Sequence, residues 1–217
     1  MDALLTPLLE SPRMIRIAEE LQRVIEAERA KREQFYEDIS PEDKWEFING
    51  EVVMHSPATL KHLQIRRRIE QLLCDYTGAR NLGMVVGEKG LANFTRNSYE
   101  PDVMYFPAEV AETFEDSQWN FPVPSLIVEV LSDSTKGADR GVKKDDYEEH
   151  GVVEYWIVDP ISETIEQLLL AGEKYELAVK QSDGTFASKA VEGFVMPVRA
   201  AFDDELNRAA RLRFLQG

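Results

Sequence analysis

Hydrophobic and polar positions recur along this chain with two periods, and the switches between them outline its elements. Residues 14–38 open with Met14, Ile17, Ala18, Leu21, Val24 and Ile25 at helical spacing, with charges between them. The next position on that face is Glu28, so the stripe weakens there. The pattern predicts an amphipathic helix that packs on the rest of the chain or on a second copy. Ser40-Pro41 marks a break after it. Residues 45–54 hold two apolar-rich runs around Asn49-Gly50, a dipeptide that accepts the two positive φ angles of a type I′ hairpin. Pro57 precedes a long helical pattern over residues 58–77, with Ile65, Ile69, Leu72, Leu73 and Tyr76 on its stripe.

Beyond that helix the period shortens. Residues 83–95 predict two short strands around a "GEKG" turn, and residues 102–106 another strand. A polar loop runs to residue 123, with Phe114, Trp119 and Phe121 as its anchors. Residues 125–131 and 153–159 are apolar runs of buried-strand type, joined by a loop and a helix. Asp139 stands as the N-cap of that helix and Gly151 as its C′ glycine. The order predicts a βαβ crossover with parallel strands. A hairpin over 163–180, further short strands after Asp183-Gly184 and a helix over 203–214 complete the chain. The organisation expected is one mixed α/β domain over residues 41–217, preceded by a helical extension over residues 1–40.

Charge narrows the partners. The 217 residues carry 25 Lys and Arg against 40 Asp and Glu, a net charge of −15. Such a chain repels nucleic acid on average, so any contact with it needs a local basic patch or a divalent cation. The single cysteine, Cys74, allows no intrachain disulfide and fits a reducing cytosol, so a cytoplasmic protein is expected. The first residues lack the basic region of a signal peptide, and no run approaches the roughly 20 apolar residues of a membrane span.

The strand 125–131 contains an anomaly. Glu129 interrupts Leu126, Ile127, Val128, Val130 and Leu131, and a carboxylate there is costly to desolvate unless it is paired or holds a metal. Asp102 stands at the start of another strand. If the two strands are neighbours, the carboxylates meet, and a cation must separate them or one pKa rises. Oxygen ligands suit Mg²⁺ or Mn²⁺, and a backbone carbonyl such as that of Val130 could complete the shell. Lys136, Arg140, Lys143 and Lys144 make the following segment basic. Lys143 and Tyr147 share one helix face, and a buried Tyr147 turns Lys143 toward Glu129. There it could assist a water that attacks a metal-bound phosphate. Glu51, after the Asn49-Gly50 turn, could face inward as a third acid or outward to solvent. His62 near the helix start is a hydrogen-bonder or a ligand. Lys61, Arg66, Arg67 and Arg68 form either a backbone-phosphate contact or a solvated helix face. No phosphate loop, nucleophile elbow or dinucleotide fingerprint is present.

The stretches "FINGEVVMHSP" with His62 downstream, "YEPDVMYFP", "PSLIVEVLSDST" and "DRGVKKDDYEEHGVVEYWIVDP" together resemble the Uma-type restriction endonuclease family, a branch of the PD-(D/E)XK nucleases. The resemblance covers residues 41–200. It implies a restriction-endonuclease-like α/β core, a central mixed sheet flanked by helices, and Mg²⁺-dependent hydrolysis of phosphodiester bonds in DNA. Pro101-Asp102 would be the "PD" and Glu129 the following acid. The lysine usually found two residues after that acid is replaced here by Leu131, and Lys143 occupies the place of a lysine in the next helix. Glu51 matches an acid of the same hairpin. DNA is then the expected substrate and a homodimer the expected state, since cutting a duplex needs two sites. The alternatives are a non-catalytic binding module on the same fold and an oligomeric structural protein joined through the 14–38 helix.

Overall fold

A computed structural model describes residues 5–40 and 43–216. Helices α1 (Thr6–Leu9) and α2 (Met14–Asp38) lead into the hairpin β1 (Trp45–Ile48) and β2 (Glu51–Met54). Helix α3 (Leu60–Arg80) is followed by β3 (Gly83–Gly87), β4 (Leu91–Asn93), β5 (Ser98–Tyr99) and β6 (Val103–Pro107). Then come α4 (Ala108–Ala111), β7 (Asn120–Phe121), β8 (Leu126–Val130), α5 (Lys136–Asp139), α6 (Val142–Glu149) and β9 (Glu154–Asp159). The long hairpin β10 (Thr164–Ala171) and β11 (Lys174–Gln181), the pair β12 (Thr185–Ala187) and β13 (Val195–Pro197), a 3-10 turn and α7 (Asp204–Gln216) close the chain.

The six-stranded sheet has the order β11-β10-β9-β8-β6-β3, and β8 and β9 are its parallel pair, as the βαβ pattern predicts. A second sheet has the order β2-β1-β5-β4-β7. Strand alternation divides the large sheet into two faces. Leu126, Val128 and Val130 pack with Ile65, Ile69, Leu72 and Leu73 of α3 and with Trp156. Ile127 points the other way, to a cluster with Met104, Phe106, Tyr147 and Tyr155.

Local chemistry sets the joints. Asn49 and Gly50 both have positive φ, 51° and 83°, so the β1–β2 turn is the tight one its dipeptide predicts. Thr59 caps α3 by accepting the His62 N–H at 3.3 Å. Gly83 has φ 136°, and a Cβ there would collide with the Phe106 carbonyl across the β3–β6 pair.

Three expectations are revised. The "GEKG" turn does not join a hairpin, because β3 enters the large sheet and β4 the other one. Asp139 does not cap α6: Gly141 stands at that position, and the Asp139 side chain is buried beside Lys143. Gly151, with φ 77°, does end the helix as a C′ residue. Helix α2 has the predicted bounds, but Phe35 is its buried anchor, against Phe47 and Leu91. Its stripe is left outside, with Leu21 52% exposed and Val24 and Ile25 close to that. Pro41, of the predicted break, lies outside the described residues.

Candidate functional site

Antiparallel register brings the first two carboxylates together. Val103 pairs with Val128, so one step further along both strands sets Asp102 beside Glu129. Asp102 accepts the Val130 N–H at 2.8 Å, and His62 Nε2 lies 3.1 Å from its other oxygen. Lys44, just before β1, places its ammonium 3.5 Å from Asp102 and 3.6 Å from Glu88. Burial would raise the Asp102 pKa, but His62, Lys44 and the Val130 amide outweigh it and hold it below the ordinary range. Burial works against the Lys44 charge, and Asp102 and Glu88 outweigh that as well, raising its pKa. His62, Glu88 and Asp102 each offer a ligand atom within 4.8 Å of the others and could hold a metal ion. Glu129 is not in that group.

Glu129 faces α6 instead. One of its oxygens accepts from Lys143 Nζ at 2.9 Å and from the Tyr147 hydroxyl at 3.0 Å. Lys143 is 3% exposed, and it also lies 2.9 Å from Glu46 and 3.5 Å from Asp139. One buried ammonium thus serves three carboxylates. Burial pushes Glu129 up to about 8 against the pull of Lys143, with Asp139, Asp102 and Glu46 adding to the rise. Glu46 goes the other way, to about 2. Burial opposes its charge, but Lys143 and His55 outweigh burial. The Glu46 carboxylate also accepts the Glu100 N–H at 2.9 Å, two residues before Asp102, which ties the hairpin to the site.

A cleft of about 740 Å³ opens above this cluster, lined by Lys44, His55, His62, Lys61, Lys136, Asp159 and the Leu131–Thr135 loop among others. Of the basic residues weighed for nucleic acid, Lys61 and Lys136 reach it, each in an exposed surface pair, with Glu163 at 3.2 Å and Asp133 at 2.9 Å. Arg140 is spent in a two-pronged pair with Glu166, Arg66 pairs with Glu70, Arg67 is exposed on α3, and Arg68 is buried against Asp204. Glu51 is not brought to the cluster. It stands at the turn end of edge strand β2, 75% exposed, with Lys31 at 2.6 Å. The acid that the hairpin delivers is Glu46. Val130 contributes its N–H to Asp102.

Sequence reasoning misses Glu46, Glu88, Lys44 and His55. Glu46 left one signal: it alternates with Trp45 and Phe47 in a short strand, so it occupies the opposite face. That face reads as solvent unless a second layer covers it. Glu88 lies in a turn, where a charge carries no signal of burial.

The chain was compared with known proteins. A family model described as Uma2, "Putative restriction endonuclease", matches residues 32–199. An uncharacterized protein of Synechocystis sp., sll1609, is 31% identical over 134 residues, which are 61% of this chain and 75% of that protein. The fold is similar to that of a crystal structure from Anabaena variabilis titled "putative nuclease belonging to DUF820". The TM-score is 0.68 at 16% identity, covering 81% of this chain and 97% of the other. Among the described residues no helix is long and apolar enough to cross a membrane.

Proposed function

The chain belongs to the Uma2 family, and on that premise we propose that it is a divalent-metal-dependent nuclease that hydrolyses phosphodiester bonds in DNA. The observation that carries this reading is the convergence of His62, Glu88 and Asp102, with His62 also lining a cleft that Lys61 and Lys136 share. The donor set fits a cation. Two carboxylates face one another there, an ammonium already stands between them, and the buried Nδ1 of His62 has no hydrogen-bond partner. One imidazole nitrogen with two carboxylate oxygens suits Mn²⁺ better than Mg²⁺, which prefers an all-oxygen octahedron. When bound, the metal would supply Lewis-acid activation of the phosphate and of a water.

The chain's own residues do the rest. Asp102 is held ionised and is fixed by the Val130 amide, so it is preorganised for a cation. Lys143 is buried too deeply to touch a substrate, and in this reading it is a positioning residue that orients Glu129 and Glu46. Lys61 and Lys136 at the cleft rim receive the backbone phosphates against the repulsion of a −15 chain. Two copies would be needed to cut both strands, and sedimentation equilibrium of the whole chain would test the dimer, a monomer at working concentration refuting it.

Calorimetric titration with Mn²⁺ tests the metal centre. One site per chain is expected, lost in Asp102→Ala and weakened in His62→Ala. Equal affinity in all three proteins would remove the reading. A specific observation favours a second reading, a binding module without catalysis: Lys44 fills the cation position and Lys143 is saturated by carboxylates. That reading expects DNA retention on a gel with no cleavage in Mn²⁺ or Mg²⁺.

A further inference from the structure

The cleft holds a second histidine that the metal group does not use. His55 follows β2, and its N–H donates to the Lys44 carbonyl at 3.0 Å. Its side chain is 12% exposed and lines the same cleft as His62. Its Nε2 lies 2.8 Å from Glu46 Oε2. The other oxygen of Glu46 is held at 2.9 Å by both Lys143 and the Glu100 amide. The carboxylate is thus fixed from two sides, and the imidazole cannot turn without breaking a buried hydrogen bond. Among the described residues His55 Nδ1 makes no hydrogen bond, so it is the nitrogen left to exchange a proton with whatever occupies the cleft.

The other candidates for proton transfer are committed elsewhere. His62 belongs to the metal group with Glu88 and Asp102, Lys44 stands between Asp102 and Glu88, and Lys143 is buried against Glu129 and Glu46. We propose that His55 and Glu46 form a proton-transfer dyad that protonates the leaving oxygen of the scissile phosphodiester. This rests on the nuclease reading above and gives the acid that reading lacks. The Glu46 carboxylate, 2.8 Å from Nε2, fixes which ring nitrogen is held and which is left for the substrate, the orienting role a carboxylate plays beside a catalytic imidazole. In the step, a water oxygen bonds to phosphorus as the bond from phosphorus to the leaving oxygen breaks. The electron pair stays on the leaving oxygen, which takes the proton from His55 Nδ1. The attacking water releases its extra proton to solvent in the cleft, and His55 regains one from the same solvent.

A leaving-group comparison tests this. DNA expels a strongly basic alkoxide that needs an acid, whereas bis(p-nitrophenyl) phosphate expels a stable phenolate that does not. Both substrates are assayed in Mn²⁺ with wild type, His55→Ala and Glu46→Gln, and Mn²⁺ affinity is measured for each protein. His55→Ala is expected to slow DNA cleavage about 100-fold more than nitrophenyl ester hydrolysis, with Mn²⁺ affinity kept. His55 is at the cleft wall rather than in the core, so its variant carries the test if Glu46→Gln fails to fold. Equal losses on both substrates, or no loss on DNA, would overturn the dyad and leave the nuclease reading standing. A wild type inert toward both would overturn both.

Discussion

Replacing Glu129 by glutamine should make the protein more stable, by an amount that grows with pH. Burial pushes this carboxyl from its ordinary 4.5 up to about 8, against Lys143. Between those values the folded chain keeps a proton that the unfolded chain has lost, so stability falls as pH rises. At 1.36 kcal/mol per pH unit, the loss is about 3 kcal/mol by pH 7 and about 5 kcal/mol once pH exceeds 8. Glutamine has the same shape, carries no charge, and its oxygen can still accept from the Tyr147 hydroxyl. Glu129→Gln is therefore expected to match wild type near pH 5, within about 1 kcal/mol, and to exceed it by about 3 kcal/mol at pH 7. For a chain of this size that is roughly 6–12 °C in Tm. Urea unfolding followed by tryptophan fluorescence, to which buried Trp156 contributes, with chelator present, measures the difference at each pH. Titrations shared by both proteins cancel in it. A gap that does not widen with pH, or a wild type more stable than the variant at pH 8, would refute the reasoning.

Three further substitutions probe the same cluster. Lys143→Met leaves Glu46, Glu129 and Asp139 around an apolar side chain and should cost about 3–5 kcal/mol by thermal denaturation; a cost near zero would contradict the shared-ammonium geometry. Lys44→Ala removes the ammonium between Asp102 and Glu88 and should tighten Mn²⁺ binding about tenfold by calorimetry, while weaker binding would show that Lys44 does not compete with the metal. Glu51→Gln should change stability by less than about 0.5 kcal/mol and leave cleavage as it is, because its pair with Lys31 is solvent-exposed; a dead enzyme would return this acid to the site.

Much of the scaffold was legible because its strands are buried on both faces. The runs predicted over 125–131 and 153–159 need no partner to be read, and the helix between them forces them parallel. The place of Lys143 followed from Tyr147 four residues later, since a buried tyrosine turns the whole helix face inward. The rest of the site depends on the second sheet closing over the first. Glu46, a member of that second sheet, looks like a solvent residue until its face closes on Lys143 of α6, and Glu88 like a turn charge until α3 brings His62 beside it. The same limit applied to α2: its stripe predicts a helix, and nothing in the stripe says what packs on Leu21 and Val24.

The most direct measurement is conversion of supercoiled plasmid by purified protein in Mn²⁺, wild type beside Asp102→Ala. Nicked or linear product is expected from wild type, with chelator abolishing it and the variant giving none. Product from the variant at the wild-type rate, or none from wild type with either Mn²⁺ or Mg²⁺, would contradict a metal-dependent nuclease centred on His62, Glu88 and Asp102.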